Sequence, residues 1–188
     1  MVEDSFESEL KISVTDFEPV RASLHRERAV LVQVMARETN LLLDRRDRSL
    51  GTDGSMLRLR QHGGRNLLTL KGPVSYRGVI KVREELEVEF SDLSRMVEIF
   101  DSLGFSVIMK YEKDREEWLF EEYSVVLDHT PMGNFVEVEG PPERLASAAR
   151  LLDLELAAAV RGSYVSLWQE YRKLNPELDL PNNMVFPE

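Results

Sequence analysis

The chain has 188 residues, 43% hydrophobic and 31% charged, which supports a sizeable core and argues against global disorder. Lys and Arg number 24 against 34 Asp and Glu, a net charge of −10 that sets aside a general nucleic-acid coat or an anionic-membrane binder. The lack of cysteine excludes disulfides, thiolate metal sites and cysteine nucleophiles, and no apolar run approaches the roughly 20 residues of a membrane span.

The start, Met1-Val2-Glu3-Asp4, is acidic where a signal peptide is basic and then apolar, so the expected location is cytoplasmic. Phe6–Val14 reads as a strand, and Thr15-Asp16 starts a helix running to about Arg28. Ala29–Ala36 and Thr39–Asp44 follow as strands, with a loop over Leu50–Ser55. Met56–Gln61 and Asn66–Lys71 flank the hairpin connection His62-Gly63-Gly64-Arg65. Val79–Phe90 is a long strand, after which Asp92 caps a helix that Gly104 ends. Val107–Lys113, Glu117–Asp128 and Asn134–Glu139 are further strands. Pro141-Pro142 opens a helical region to about Leu154, and Ser163–Leu174 forms the last helix. Residues 1–174 read as a single domain, and 175–188, with three prolines, as a tail laid over its surface. The fold class is α+β, with about eight antiparallel strands and helices between them.

Alternation along the strands carries the functional signal, because side chains at i and i+2 share a face. Glu7, Glu9 and Lys11 align, as do Arg58 with Arg60 and Glu137 with Glu139. In Ile80–Phe90 one face holds Lys81, Arg83, Glu85, Glu87 and Glu89, while the other is apolar except at Glu84. Lys113 aligns with Arg115, and Asp128 ends the strand Val125-Val126-Leu127-Asp128. A solvated face usually mixes in Ser, Thr, Asn and Gln, whereas these faces are nearly all Glu, Lys and Arg, blocked by sign. About eight strands can close into a barrel that holds one small ligand. With the apolar faces turned out to the helices, the charges line its interior. Burying them is costly unless they pair, bind metal or bind a highly charged ligand. Clustered carboxylates suit hard divalent cations such as Mg²⁺, and Lys/Arg rings suit phosphate oxygens. A polyphosphate with its metal satisfies both sets.

Glu7-x-Glu9-x-Lys11 resembles the N-terminal signature of the CYTH superfamily, the triphosphate tunnel metalloenzymes. The later elements follow in the family's order. These are Leu57-Arg58-Leu59-Arg60, Leu68-Thr69-Leu70-Lys71-Gly72-Pro73, Arg83-x-Glu85-x-Glu87, Lys113-x-Arg115, Asp128, Phe135-Val136-Glu137-Val138-Glu139-Gly140 and Gly162-Ser163-Tyr164. The resemblance spans roughly residues 6–172 and implies an eight-stranded antiparallel closed β-barrel, a tunnel with a charged interior and helices packed outside. It implies Glu7, Glu9, Asp128, Glu137 and Glu139 as ligands of Mg²⁺ or Mn²⁺. Lys11, Arg58, Arg60, Lys71, Arg83, Lys113 and Arg115 would grip the phosphates. Lys81 joins them on parity with Arg83. Catalysis would fall to Lys11, Arg58 and Arg60, with Glu85 or Glu87 assisting. The implied substrate is a triphosphate-bearing small molecule, such as tripolyphosphate, thiamine triphosphate or ATP. Hydrolysis is the first reading, class IV adenylyl cyclase activity the second and a non-catalytic polyphosphate binder the third. No nucleic-acid or membrane partner is expected, and the protein is a monomer or homodimer.

Other residues read as structural. His25 and His62 are surface residues, and His129 belongs to a loop. Trp118 and Trp168 pack rather than stack a purine, and Asp44-Arg45-Arg46-Asp47-Arg48 is a solvated turn.

Overall fold

The structure, a computed structural model, describes residues 6–187. Its strands are β1 (Phe6–Val14), β2 (Val30–Arg45), β3 (Met56–His62), β4 (Arg65–Lys71), β5 (Ser75–Arg77), β6 (Ile80–Phe90), β7 (Phe105–Phe120), β8 (Tyr123–Thr130) and β9 (Gly133–Glu139). The helices are α1 (Glu18–Arg26), α2 (Ser49–Thr52), α3 (Leu93–Ser102), α4 (Leu145–Leu151) and α5 (Tyr164–Leu174). Eight strands pair antiparallel in the order β1-β9-β8-β7-β2-β3-β4-β6, and a β1–β6 pairing closes the ring. β5 lies outside it, paired to β6. Closure works because β1 changes partner along its length: Glu9 is the register partner of Lys81 on β6 and of Glu139 on β9. A closed barrel leaves no unpaired edge.

The alternation sorts the side chains as expected. Leu10, Ile12, Val125, Leu127, Val136 and Val138 point outward into a core shared with Val20, Leu24, Leu145, Ala148 and Leu152 of α1, α4 and the turn after α4. Leu43, Leu57 and Leu59 form a second outer core with Met96, Val97 and Phe100 of α3. At one end the inward face turns apolar. There Leu42, Met56, Met109 and Phe135 meet Tyr164 and Trp168, and α5 closes the barrel. Ser163 caps α5 by accepting the N–H of Ser166. Gly162 precedes it at φ 116°, where an added Cβ would stand 2.7 Å from Ser166 Oγ.

The C-terminal segment braces this plug. Met184 is fully buried, and its backbone bridges Lys110 and Glu112 of β7. Trp168 Nε1 donates to the carbonyls of Pro181 and Asn182.

Four local expectations are corrected. The two strands expected over 29–44 are one strand of 16 residues, continued through irregular register near Leu31, Gln33 and Ala36. The strand expected over Glu117–Asp128 is interrupted by a hairpin turn at Glu121-Glu122. Glu121 takes the left-handed conformation there, φ 53°, with no Gly, Asn or Pro to announce the turn. The short helix α2 runs into the loop expected over 50–55, and the break expected between Val107–Lys113 and Glu117 is absent, β7 running unbroken from Phe105 to Phe120. Among the described residues, no helix is long and apolar enough to cross a membrane.

Candidate functional site

The barrel interior brings the two charge sets into one space. A cavity of about 490 Å³ forms the open mouth, lined in part by Glu7, Glu85, Glu87, Glu139, Arg60, Lys71 and Arg115. A narrower space of about 50 Å³ continues inward among Glu9, Lys11, Arg58, Lys81, Arg83, Lys113 and Glu137, and Tyr164 forms part of its floor.

Glu7, Glu9 and Glu139 converge, with one carboxylate oxygen from each within 4.8 Å of the others. Strand pairing explains this. Glu9 and Glu139 are register partners, and Glu7 lies two residues before Glu9 on the same face. Glu9 accepts Lys81 Nζ at 2.8 Å and Glu7 accepts Lys71 Nζ at 2.6 Å. Among the described residues Glu139 has no ion pair. Burial, followed by the neighbouring Glu7, Glu137 and Glu9 charges, pushes its carboxyl up to about 8. Three convergent oxygens, one on a carboxylate short of a cation, suit a hard divalent ion.

Asp128 and Glu137 sit differently. Asp128 is fully buried and accepts Arg115 Nε at 2.7 Å, Arg115 Nη2 at 2.6 Å, Lys113 Nζ at 2.9 Å and Tyr164 Oη at 2.7 Å. Glu137 binds Lys11 Nζ through one oxygen and Arg115 Nη2 through the other, each at 2.8 Å. Burial alone would raise the Glu137 carboxyl, but Lys11, Lys113 and Arg115 hold it well below the usual range. Burial likewise would lower Lys11, yet Glu137 and Glu9 hold its ammonium above its ordinary value. The five carboxylates that the family resemblance implies as metal ligands thus divide into a convergent trio, of which Glu139 alone has no ion pair among the described residues, and two buried members, Asp128 and Glu137, that stand outside it.

The cationic wall has donors to spare. Arg58 reaches Tyr111 Oη and Thr69 Oγ1 at 3.3 Å and stands 3.8 Å from Glu85, but its Nε has no partner. Arg60 and Arg83 also carry buried Nε groups without a hydrogen-bond partner, that of Arg60 standing 3.7 Å from Glu38 Oε2. Buried donors left unmade are costly. Lys71 joins Glu7 and Glu85, both at 2.6 Å. Burial would raise Glu85, but a hydrogen bond with Glu7 and the Lys71 ammonium bring it down to about 2. Glu87 accepts Thr69 Oγ1 at 2.8 Å at the mouth.

Several residues of this site escape the sequence reading. Glu38, fully buried, faces Lys113 at 3.4 Å and Arg60 and Arg115 at 3.7 Å, and accepts Asn40 Nδ2 at 2.9 Å. Burial opposes its ionisation, but Arg60, Lys113 and Arg115 overcome it and hold the carboxyl well below its usual value. Glu38 falls in the gap between the two strands expected over 29–44. A continuous strand puts it on the parity of Asn40 and Leu42. His62 is not a surface residue: its side chain is 9% exposed, and Nε2 lies 3.3 Å from Glu117 Oε1. It continues the inward parity of Arg58 and Arg60. His129 belongs to β8 rather than a loop and stacks on Phe186 at 5.3 Å. His25 is exposed, and Trp118 and Trp168 are buried in packing. Asp44 is buried, its carboxylate accepting the backbone N–H groups of Arg45, Leu50 and Gly51, so that cluster is an anchored turn.

A family model described as CYTH domain matches residues 5–158. The chain is 29% identical over 134 residues to a Methanocaldococcus jannaschii protein named "Putative adenylate cyclase MJ0240", covering 71% of this chain and 75% of that one. A solved Vibrio parahaemolyticus structure described as a "putative adenylate cyclase" superposes with a TM-score of 0.80 at 22% identity, over 88% of this chain and 98% of that one. The Hippeastrum protein HpAC1 superposes with a TM-score of 0.64 at 17% identity, over 88% and 96% of the two chains. These two likenesses concern the fold.

Proposed function

The chain belongs to the CYTH domain family, and we propose that this member is a divalent-metal-dependent enzyme that hydrolyses the triphosphate group of a small molecule. The observation that carries this reading is the convergence of Glu7, Glu9 and Glu139 beside a wall of buried Lys and Arg that lines the same space. Glu7, Glu9 and Glu139 would hold Mg²⁺ or Mn²⁺, whose chemistry is to neutralise phosphate charge and polarise a phosphoryl oxygen. Asp128 and Glu137 instead fix Lys11, Lys113 and Arg115, so these cations meet the phosphates without rearrangement. Arg58, Arg60, Lys71, Lys81 and Arg83 complete the phosphate grip from β3, β4 and β6. Lys11, Arg58 and Arg60 would stabilise charge developing on the leaving oxygens, and Glu85 or Glu87, at the mouth, would orient the attacking water. A triphosphatase needs little beyond this charged tunnel, and HpAC1 is described as having a dominant triphosphatase activity.

A second reading, conversion of ATP to cyclic AMP and pyrophosphate, draws on the name of the Methanocaldococcus jannaschii relative. There the ribose 3′-hydroxyl attacks the α-phosphorus in place of water. Incubation of tripolyphosphate, thiamine triphosphate and ATP with Mg²⁺ or Mn²⁺ separates the two. Free phosphate supports hydrolysis, and cyclic AMP with pyrophosphate supports the cyclase.

A further inference from the structure

Glu38 is a fully buried carboxylate among the tunnel cations, and it belongs neither to the convergent trio nor to the set formed by Asp128 and Glu137. Strand register fixes its setting. Glu38 pairs with Lys113 on β7, while Asn40, two residues on and on the same face, pairs with Arg60 on β3. Asn40 Nδ2 donates to one carboxylate oxygen at 2.9 Å. The other, Oε2, stands 3.7 Å from Arg60 Nε and 3.7 Å from Arg115 Nε. These contacts are looser than those of Asp128, which takes Arg115 at 2.6 and 2.7 Å and Lys113 at 2.9 Å. Lys113 and Arg115 thus have a closer carboxylate elsewhere. Arg60 does not, because Glu38 is its one ion-pair partner among the described residues. The two ends of that pair also differ in freedom. The Glu38 side chain is 0% exposed, whereas that of Arg60 is 15% exposed and lines the open mouth.

We propose that Glu38 is a built-in counter-ion that competes with the ligand's phosphate for Arg60 and so limits how tightly the tunnel holds a polyphosphate chain. The inference rests on the triphosphate reading above and names a residue that regulates affinity at that same site. An approach of 3.7 Å is beyond hydrogen-bonding distance, so Glu38 holds the Arg60 guanidinium by charge alone. A phosphate that offers it short charge-assisted hydrogen bonds replaces that hold. Each phosphate that takes Arg60 leaves Glu38 buried with one cation fewer, and this penalty offsets part of the gain. Looser binding of the ground state does not slow turnover in itself, since tightening ground and transition states equally lowers KM without raising kcat. It also eases departure of an anionic product, because Arg60 has a carboxylate to return to.

The test is isothermal titration calorimetry with tripolyphosphate in Mg²⁺ on the full chain, Glu38→Gln, Arg60→Gln and the double variant. The amide keeps the size of Glu38 and an acceptor for Asn40 while removing the charge. Kd should fall about tenfold or more in Glu38→Gln, the scale of one unit charge acting over several ångström in protein. Arg60→Gln should raise Kd, and adding Glu38→Gln to it should change Kd by less than about threefold, because the competition acts through Arg60. Glu116→Gln is the control. That buried carboxylate pairs with Arg21 outside the barrel, and its loss should leave Kd unchanged. Removing one member of a buried charge cluster can prevent folding. Glu38→Asp then serves instead, since it keeps the charge, draws it back by one methylene and should lower Kd in the same direction. Unchanged or weaker binding in Glu38→Gln, or in Glu38→Asp where the amide does not fold, overturns the inference. So does a gain that survives undiminished in the Arg60→Gln background. Failure of the unaltered protein to bind tripolyphosphate overturns the triphosphate reading beneath it, which is a distinct outcome.

Discussion

Glu139 brings a carboxylate oxygen within 4.8 Å of one from Glu7, and among the described residues no cation pairs with Glu139. Two carboxylates at that spacing repel unless a proton or a metal lies between them. The tunnel mouth therefore carries a site whose charge is incomplete, and its properties follow from what completes it.

The first prediction is the pH dependence of metal stabilisation. The Glu139 carboxyl is raised from an ordinary 4.5 to about 8 in the folded protein. A raised acid holds its proton more tightly folded than unfolded. Its contribution to stability is complete below pH 4.5 and lost as pH rises through 4.5 to about 8. A divalent cation replaces that proton, so the metal-induced rise in Tm should grow between about pH 6 and pH 8. Thermal melts with Mg²⁺ and with chelator, across that window, measure it. A metal effect independent of pH would contradict the Glu139 assignment.

The second prediction separates two glutamates that look equivalent in Phe135-Val136-Glu137-Val138-Glu139. Glu137→Gln leaves Lys11 and Arg115 without a charge partner in a buried setting, and should cost about 3–5 kcal/mol of stability. Glu139→Gln removes a repelled charge and should preserve or raise metal-free stability near pH 8, while abolishing most metal-dependent turnover. Urea melts and steady-state assays on both variants check it. Equal destabilisation by the two would show that Glu139 is a structural partner of the cations.

A third prediction concerns the cationic wall. Arg58→Ala and Arg60→Ala should each lower kcat/KM by about 10²–10³, as for removal of one preorganised charge-stabilising donor. Excess Mn²⁺ should not restore them, because the metal ligands remain intact. Kinetics against metal concentration decide this, and rescue by Mn²⁺ would place the arginines in the metal site.

The plug gives a fourth. Tyr164 Oη donates to Asp128 at 2.7 Å, and its ring lies under Lys11 Nζ at 4.3 Å and Lys113 Nζ at 4.8 Å. Tyr164→Phe keeps the ring over the cations and leaves Asp128 its Arg115 and Lys113 donors. It should therefore cost only about 1–3 kcal/mol, whereas Tyr164→Ala should cost more through the lost packing of α5. Denaturant unfolding of both variants reads the difference, and an equal loss would mean that the ring contributes nothing.

Much of this arrangement is legible in the amino-acid sequence. Period-2 alternation in Leu57-Arg58-Leu59-Arg60 and Phe135-Val136-Glu137-Val138-Glu139 sorts charge inward and aliphatics outward, because one register is compatible with a buried outer face. The part that is not legible depends on cross-strand register. Parity groups Glu137 with Glu139, but only the β1–β9 register shows that Glu139 meets Glu9 while Glu137 faces Lys11. Asp128 likewise pairs with Arg115 across β7 and β8, which makes it an anchor for cations. Irregular register earlier in β2 conceals Glu38, and the left-handed Glu121 conceals a hairpin because nothing in its side chain marks the turn.

The most direct test of the central claim is phosphate release from tripolyphosphate and ATP by the unaltered protein and by Glu139→Gln, with Mg²⁺ or Mn²⁺ and with chelator, circular dichroism confirming the fold. The account predicts release that requires the metal and falls by about 10²–10³ in the variant. Release that persists in chelator, or that is unchanged in Glu139→Gln at every metal concentration, would contradict it.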